Sequence, residues 1–386
     1  MRTLVILIVL ILISSKNIYS QQEIEAGIFS PISEMYSNNY LTGSNSGMGN
    51  TGIASENGIG SSSLNPASFV QKNKFDLNIQ YTVKTIQPWS EPYLYSSEME
   101  MRQNWFFSGS IGFGYKVNKN IQVGLVYSNP TSYLFYYGMT EITNLYGPSD
   151  SIDTYTRIHL HQFSLPVSYS IGKVNLGLNI SYGIYISDYH GIISTIQNPD
   201  GYEGNAVDRV NRFIVQAGAI YKPSEFLHLG ATITSGGKNT VHTDDAFSFP
   251  SPGSHILVSK FPWRAGIGFE YKFPFSNIKI CGDFKYENTS TEIGLNDNFN
   301  LNLGAEFVLN KKFTLRTGFF TLMDNRTASD NPITYVPVTN HTQYFLTLGG
   351  TINFKNADLT ASLLDSHMSP GTIKNTYLNT SFSYHF

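Results

Sequence analysis

Cysteine is almost missing from this chain: Cys281 stands alone among 386 residues. A single cysteine excludes an intrachain disulfide and any multi-cysteine metal site. Charge is sparse as well. Asp, Glu, Lys and Arg supply 14% of the residues, where ordinary soluble domains carry about 25%. The formal net charge of −3 gives no basic surface for nucleic acid. Long apolar runs are lacking except from Leu4 to Ile13, which falls short of the about 20 residues a spanning helix needs. Framed by Arg2 and by Ile18-Tyr19-Ser20, that run reads as a secretory signal peptide over residues 1–20.

Enzyme signatures are absent too. No G-x-S-x-G, H-E-x-x-H or P-loop occurs, so the chain is expected not to be an enzyme and to use no cofactor. The nine histidines are scattered. His159 and His161 share a strand face at i, i+2, but no third ligand lies nearby in sequence. No metal site is expected.

Aromatic residues are what the chain has in excess, at 14%, with 25 Tyr and 26 Phe. Both favour strands, and aromatic girdles mark the interfaces of membrane barrels. Period-2 alternation recurs from residue 73 to the end. It predicts strands over 73–86, 104–117, 121–136, 155–171, 174–189, 210–221 and 226–235. The series continues over 260–273, 277–287, 298–309, 313–322, 343–354, 357–364 and 375–386. The even total of fourteen suits a closed antiparallel barrel with no unpaired edge.

The connections between these segments alternate in length. Long ones (87–103, 137–154, 190–209, 236–259, 288–297, 323–342 and 365–374) take turns with tight ones such as 172–173 and 355–356. An up-and-down barrel in a bacterial outer membrane has this asymmetry, with long loops outside and short periplasmic turns. The faces agree. In the eighth segment Phe261, Trp263, Ala265, Ile267, Phe269, Tyr271 and Phe273 share one face, while Arg264, Glu270 and Lys272 share the other. A charge facing hydrocarbon near the midplane costs about 2–4 kcal/mol, so the charged face points inward.

Between the signal and the first strand lies Ser44 to Phe69, SNSGMGNTGIASENGIGSSSLNPASF. Its few apolar residues cannot form a core alone, and Pro66 pushes Asn65 out of the helical region. Such a segment is either a flexible linker or a piece housed inside the barrel. Its order of glycine turn (Gly47, Met48, Gly49), tripeptide (Asn65, Pro66, Ala67) and strand series resembles the FadL-type outer-membrane transport family. The resemblance implies an all-β fold: a 14-stranded transmembrane β-barrel over 73–386, plugged by an N-terminal lumenal hatch over 21–72. It also implies passive uptake of hydrophobic compounds such as long-chain fatty acids or aromatic hydrocarbons. The implied partners are that small molecule or lipid and the outer-membrane lipids. The terminal Phe386 resembles the signal read by the barrel-assembly machinery. Similar scaffolds also act as docking partners in protein secretion or surface attachment, so a secreted-protein partner is the competing expectation. A general porin comes third, because a plug obstructs it.

Two groups of residues are candidates for the passage of a ligand. Inward cations Arg264 and Arg316 suit a carboxylate head group, since the guanidinium fork makes bidentate contacts. The other reading of these charges is a structural ladder that braces the wall. Asn129-Pro130 interrupts the third strand, where Pro130 donates no ladder hydrogen bond. It falls opposite about His161, where the apolar parity of the fourth strand slips. That predicts a bulge, at the place where the third strand of the FadL-type family opens the wall sideways. A bulge without a portal stays equally open.

Overall fold

The computed structural model of the chain describes residues 23–25, 43–86, 89–93, 96–103, 107–142, 150–195, 198–243, 255–290, 296–325, 342–370 and 374–386. The expected signal peptide lies outside them. The barrel strands are β1 Phe75–Ile86, β2 Phe107–Lys116, β3 Ile121–Ile142, β4 Asp150–Ile171, β5 Val174–Thr195, β6 Asn198–Tyr221 and β7 Leu227–Thr234. They continue as β8 Arg264–Lys272, β9 Ile278–Glu287, β10 Asn298–Val308, β11 Phe313–Leu322, β12 Gln343–Asn353, β13 Ala357–Asp365 and β14 Asn375–His385. Each pairs antiparallel with its chain neighbours, and β14 returns to β1, from Asn375↔Ile86 to His385↔Asp76. The fold is a closed barrel of fourteen antiparallel strands, the architecture the alternation predicts.

Side chains alternate as the sequence requires. Ile111, Leu125, Leu165, Ile267, Leu348 and Phe382 point outward and are exposed. Gln122, Ser168, Asn179, Glu270, Asp283 and Asn379 point inward and are buried. An apolar outer band around a polar interior is the inverse of a soluble domain and the pattern of a membrane barrel. Among the described residues no helix is long and apolar enough to cross a membrane.

The structure differs from the sequence reading in the outer part of the barrel. Strands β3, β4 and β5 run for 22 residues each and β6 for 24. The stretches 137–154 and 190–209, expected as loops, are therefore mostly β-hairpin. A strand needs about 9–11 residues to cross a membrane, so these four continue well past it. Beyond the lipid nothing demands an apolar outer face, and the alternation that reveals a strand is lost. The Asn198-Pro199-Asp200-Gly201 run, turn-like by composition, is likewise strand, with the hairpin closing one step earlier at Thr195↔Asn198. The expected segment 260–273 also splits. Pro262, which has no N–H to donate, separates β8 from His255–Phe261, a strand that pairs with Gly237–Thr243 inside the long connection. Glu23–Glu25 joins that hairpin in parallel. A second hairpin, Trp89–Tyr93 with Ser96–Gln103, continues β1 and β2 and pairs on β3 from Met99↔Met139 to Gln103↔Phe135.

Residues 43–74 lie within the barrel. Gly43 donates to Gln80 on β1 at 2.8 Å, and Ser46 to Asn379 on β14 at 3.3 Å. Gln216 on β6 donates to the Ser63 and Leu64 carbonyls at 3.0 and 3.1 Å. Ser168 on β4 bonds the Phe69 carbonyl. Contacts to strands all round the wall leave the lumen as the only place for this segment. Met48, Ile53, Ala67 and Phe69 are at most 1% exposed, which a flexible linker would not give.

Candidate functional site

The plug holds to the wall through polar groups aimed at its backbone. Asp283 on β9 accepts from the Gly52 and Ile53 amides at 2.8 and 3.2 Å. Lys285 on the same strand donates to the Asn50 carbonyl at 2.9 Å, and Asn302 on β10 to the Gly49 carbonyl at 2.7 Å. The Thr347 hydroxyl on β12 donates to the Gly47 carbonyl and accepts from the Gly49 amide, both at 2.9 Å. Gly49 takes φ 63°, and a Cβ there would meet the Leu303 carbonyl oxygen at 2.2 Å. Glycine is required at this position for its conformation and for its close approach.

Asn65, Pro66 and Ala67 close the plug against β5, β6 and β7. The Asn65 carboxamide donates to the Ile53 carbonyl at 2.6 Å and to the wall carbonyls of Ala219 and Ala231 at 3.4 and 3.3 Å. Its Oδ1 accepts from the Ala67 amide at 2.9 Å, capping the short turn Pro66–Ser68. A Cβ on Gly218 would sit 1.8 Å from that Oδ1. The wall leaves room for Asn65 only because β6 carries glycine there.

The two candidate arginines part company. Arg316 is 8% exposed, and its Nε donates to Glu306 at 2.7 Å while another guanidinium nitrogen bonds Thr351. Glu306 also pairs with Lys279 at 2.9 Å, and Lys279 lies 3.6 Å from Glu270. Glu270 in turn meets Lys272 at 3.3 Å and His228 at 3.4 Å. This is a ladder from β7 to β11 at the end of the barrel where the turns are short. Arg316 is committed within it. Arg264 stands at the other end, where the long connection enters β8, and pairs with Glu287 at 3.1 Å. Together with Lys285 and Glu287 it lines a cavity of about 100 Å³ between plug and wall.

A second cavity, of about 50 Å³, reaches Asn129 and Pro130. Here β3 and β4 change register: Ser128 faces Gln162, but Thr131 faces Leu160. Asn129 and Pro130 together oppose His161, a bulge of two residues against one. The bulge is on β3. Along β4 the faces never slip, since Leu160, Gln162, Ser164, Pro166 and Ser168 are all inward and buried. What changes is the outward set, from Phe163, Leu165 and Val167 to His159 and His161. The apolar shift in the sequence thus marks the edge of the apolar outer band. His161 bonds the Tyr127 hydroxyl at 2.8 Å on the outer face of the bulge, so Pro130 and His161 lie on its two sides.

No family model and no curated protein matches the chain. Solved structures do. A FadL homologue from Pseudomonas aeruginosa superposes with TM-score 0.65 at 13% identity, covering 89% of this chain and 98% of that one. The toluene transporter TbuX of Ralstonia pickettii gives 0.63 at 14%, over 93% and 99%. The toluene transporter TodX of Pseudomonas putida gives 0.60 at 13%, over 89% and 97%. The fold is that of the FadL-type outer-membrane transporters. At such identity the likeness concerns the fold, and the cargo has to be argued from the residues.

Within the barrel Ser63, Gln162 and Asn179 line both cavities, which therefore adjoin at the side of the plug. Sequence reasoning locates the bulge and puts Arg264 on the inward face, where it lines a cavity, but does not single out Gln162 and Asn179, which line both. Both are uncharged polar residues on an inward parity shared by dozens of Ser, Thr, Asn and Gln, and nothing in one sequence distinguishes them. Cys281 proves to be a wall residue, 2% exposed, with its Sγ 3.8 Å from the Ser55 hydroxyl of the plug.

Proposed function

We propose that this protein is a bacterial outer-membrane channel for passive uptake of small hydrophobic compounds, entered beneath the long connection into β8 and left sideways at the β3 bulge. The observation that carries the reading is a pair of adjoining cavities beside the plug, one lined by Arg264 and the other reaching Pro130, with Ser63, Gln162 and Asn179 lining both, in a barrel whose axis is filled by the plug. The solved relatives named for toluene make a monoaromatic hydrocarbon the natural first cargo to try. Arg264, at the outer mouth, is the residue that would steady a carboxylate if the cargo carries one. Nothing in this scheme calls for catalysis.

The test is uptake of radiolabelled toluene by bacterial cells displaying the protein, against cells carrying an empty vector. Faster entry at low external concentration is expected. Equal entry rates at verified surface levels would overturn the reading.

A further inference from the structure

The two ends of the barrel carry opposite charge. The long connections of the sequence hold sixteen Asp and Glu against five Lys and Arg, whereas the tight ones hold six lysines and, of acids, Glu225 alone. Lys311 and Lys312 lie between β10 and β11, Lys355 between β12 and β13, Lys119 between β2 and β3, and Lys173 between β4 and β5. All five are exposed, as are Lys72 and Lys74, which lead into β1. Around the barrel these lysines form one arc, from β10 through the β14–β1 closure to β5. Backbone hydrogen bonds hold the arc on a common rim. The Lys312 carbonyl accepts from Asn353 at 2.8 Å, that of Lys74 from Lys116 at 2.9 Å, and that of Lys173 from Lys222 at 2.8 Å. The acids of this stretch are taken, since His385 holds Asp76 at 2.8 Å and Asp358 at 3.2 Å. Among the described residues no carboxylate pairs with any lysine of the arc.

We infer that this lysine rim is a docking surface for anionic phospholipid headgroups in the leaflet at the tight-turn end. Aromatic neighbours put the charges at the right level. Phe313 and Phe354, outward and exposed, stand next in the chain to Lys312 and Lys355. Lys74 Nζ lies 5.9 Å over the Phe75 ring, and the Phe75 carbonyl accepts from the amide of the exposed Phe386 at 2.9 Å. Outward aromatics mark the membrane interface, and a lysine stem beside them keeps its ammonium at the phosphates. The four turns of the arc are two to four residues long, too short to carry these charges far beyond that level. The lipid is the occupant that such flat, uncompensated positive charge fits. The inference rests on the membrane setting proposed above and adds a lipid partner to the cargo.

The experiment places the purified protein in phosphatidylcholine vesicles with a trace of spin-labelled phosphatidylglycerol or spin-labelled phosphatidylcholine. The motionally restricted fraction of each label gives its association with the barrel. Phosphatidylglycerol is expected to be favoured about two- to threefold over the whole perimeter, since one rim supplies the charge. In the unaltered protein that ratio should fall toward one as salt is raised to about 0.5 M, which needs no variant. It should also fall at low salt when Lys119, Lys173, Lys311, Lys312 and Lys355 are all replaced by glutamine, with folding checked by heat-modifiable gel mobility. Equal association of the two lipids at low salt would overturn the inference and leave the uptake channel, read separately by toluene entry, standing. A preference that survives both salt and substitution would overturn it by placing the lipid elsewhere on the barrel. Cosedimentation of the detergent-solubilised protein with purified peptidoglycan, lost in the variant and without any lipid preference, would overturn it in favour of an anionic wall polymer.

Discussion

Asn65 has a partner for both of its side-chain polar atoms, and those partners lie on the plug, on β6 and on β7. Replacing it by alanine leaves the buried Ile53 carbonyl without its donor. Orphaning one buried group costs about 1–3 kcal/mol, so Asn65→Ala should lower the temperature at which the folded barrel loses its heat-modifiable mobility on a gel. An unchanged transition would show that the tripeptide is not what fastens the plug. The tripeptide was legible in the sequence because Pro66 is stiff and Asn65 precedes it. Its partners were not, since Ala219 and Ala231 contribute only backbone.

The arginines give the other lesson at this scale. Both lie on the inward parity, and sequence spacing cannot tell a committed guanidinium from one beside a cavity. Arg316→Ala should act on stability, by less than the about 3–5 kcal/mol of a fully orphaned buried charge, because Glu306 keeps Lys279. Arg264→Ala should act on uptake of carboxylated compounds more than on neutral ones. Measuring urea midpoints alongside p-toluate and toluene entry separates the two; a stability loss at Arg264 with unaltered selectivity would assign it to bracing alone.

Among the elements, β3 is where sequence and structure agree most closely and where a functional test is sharpest. Pro130 removes a ladder donor in any strand, so the bulge could be located, and even its opposite residue, His161, counted out across the hairpin. The length of β3 to β6 could not, because alternation reports lipid contact rather than strand geometry. Pro130→Val restores both a donor and a good strand former. If the wall opens at the bulge, this variant should keep the barrel at least as stable while uptake falls severalfold, with binding to the purified protein retained. Uptake at the original rate would make Asn129-Pro130 an ordinary bulge and would move the exit elsewhere.

For the molecule as a whole the question is whether the plug moves at all. Its hydrogen bonds reach β1, β4, β6, β7, β9, β10, β12 and β14, and each such bond contributes about 0.5–1.5 kcal/mol net. Expelling residues 43–74 as a unit would break them together, and passive uptake has no energy source to set against that. The protein contains its own means of testing this. Cys281 is the only cysteine and touches Ser55, so Ser55→Cys places a second thiol beside it with no competing pairing. Oxidation would then tie the plug to β9 toward the end of the barrel where the turns are short. If cargo passes beside a stationary plug, the oxidised variant should take up the probe compound at the rate of the reduced one. A block on oxidation that dithiothreitol relieves would show instead that the segment around Ser55 swings away from the wall, and the sideways route at Pro130 would then be secondary to an axial one.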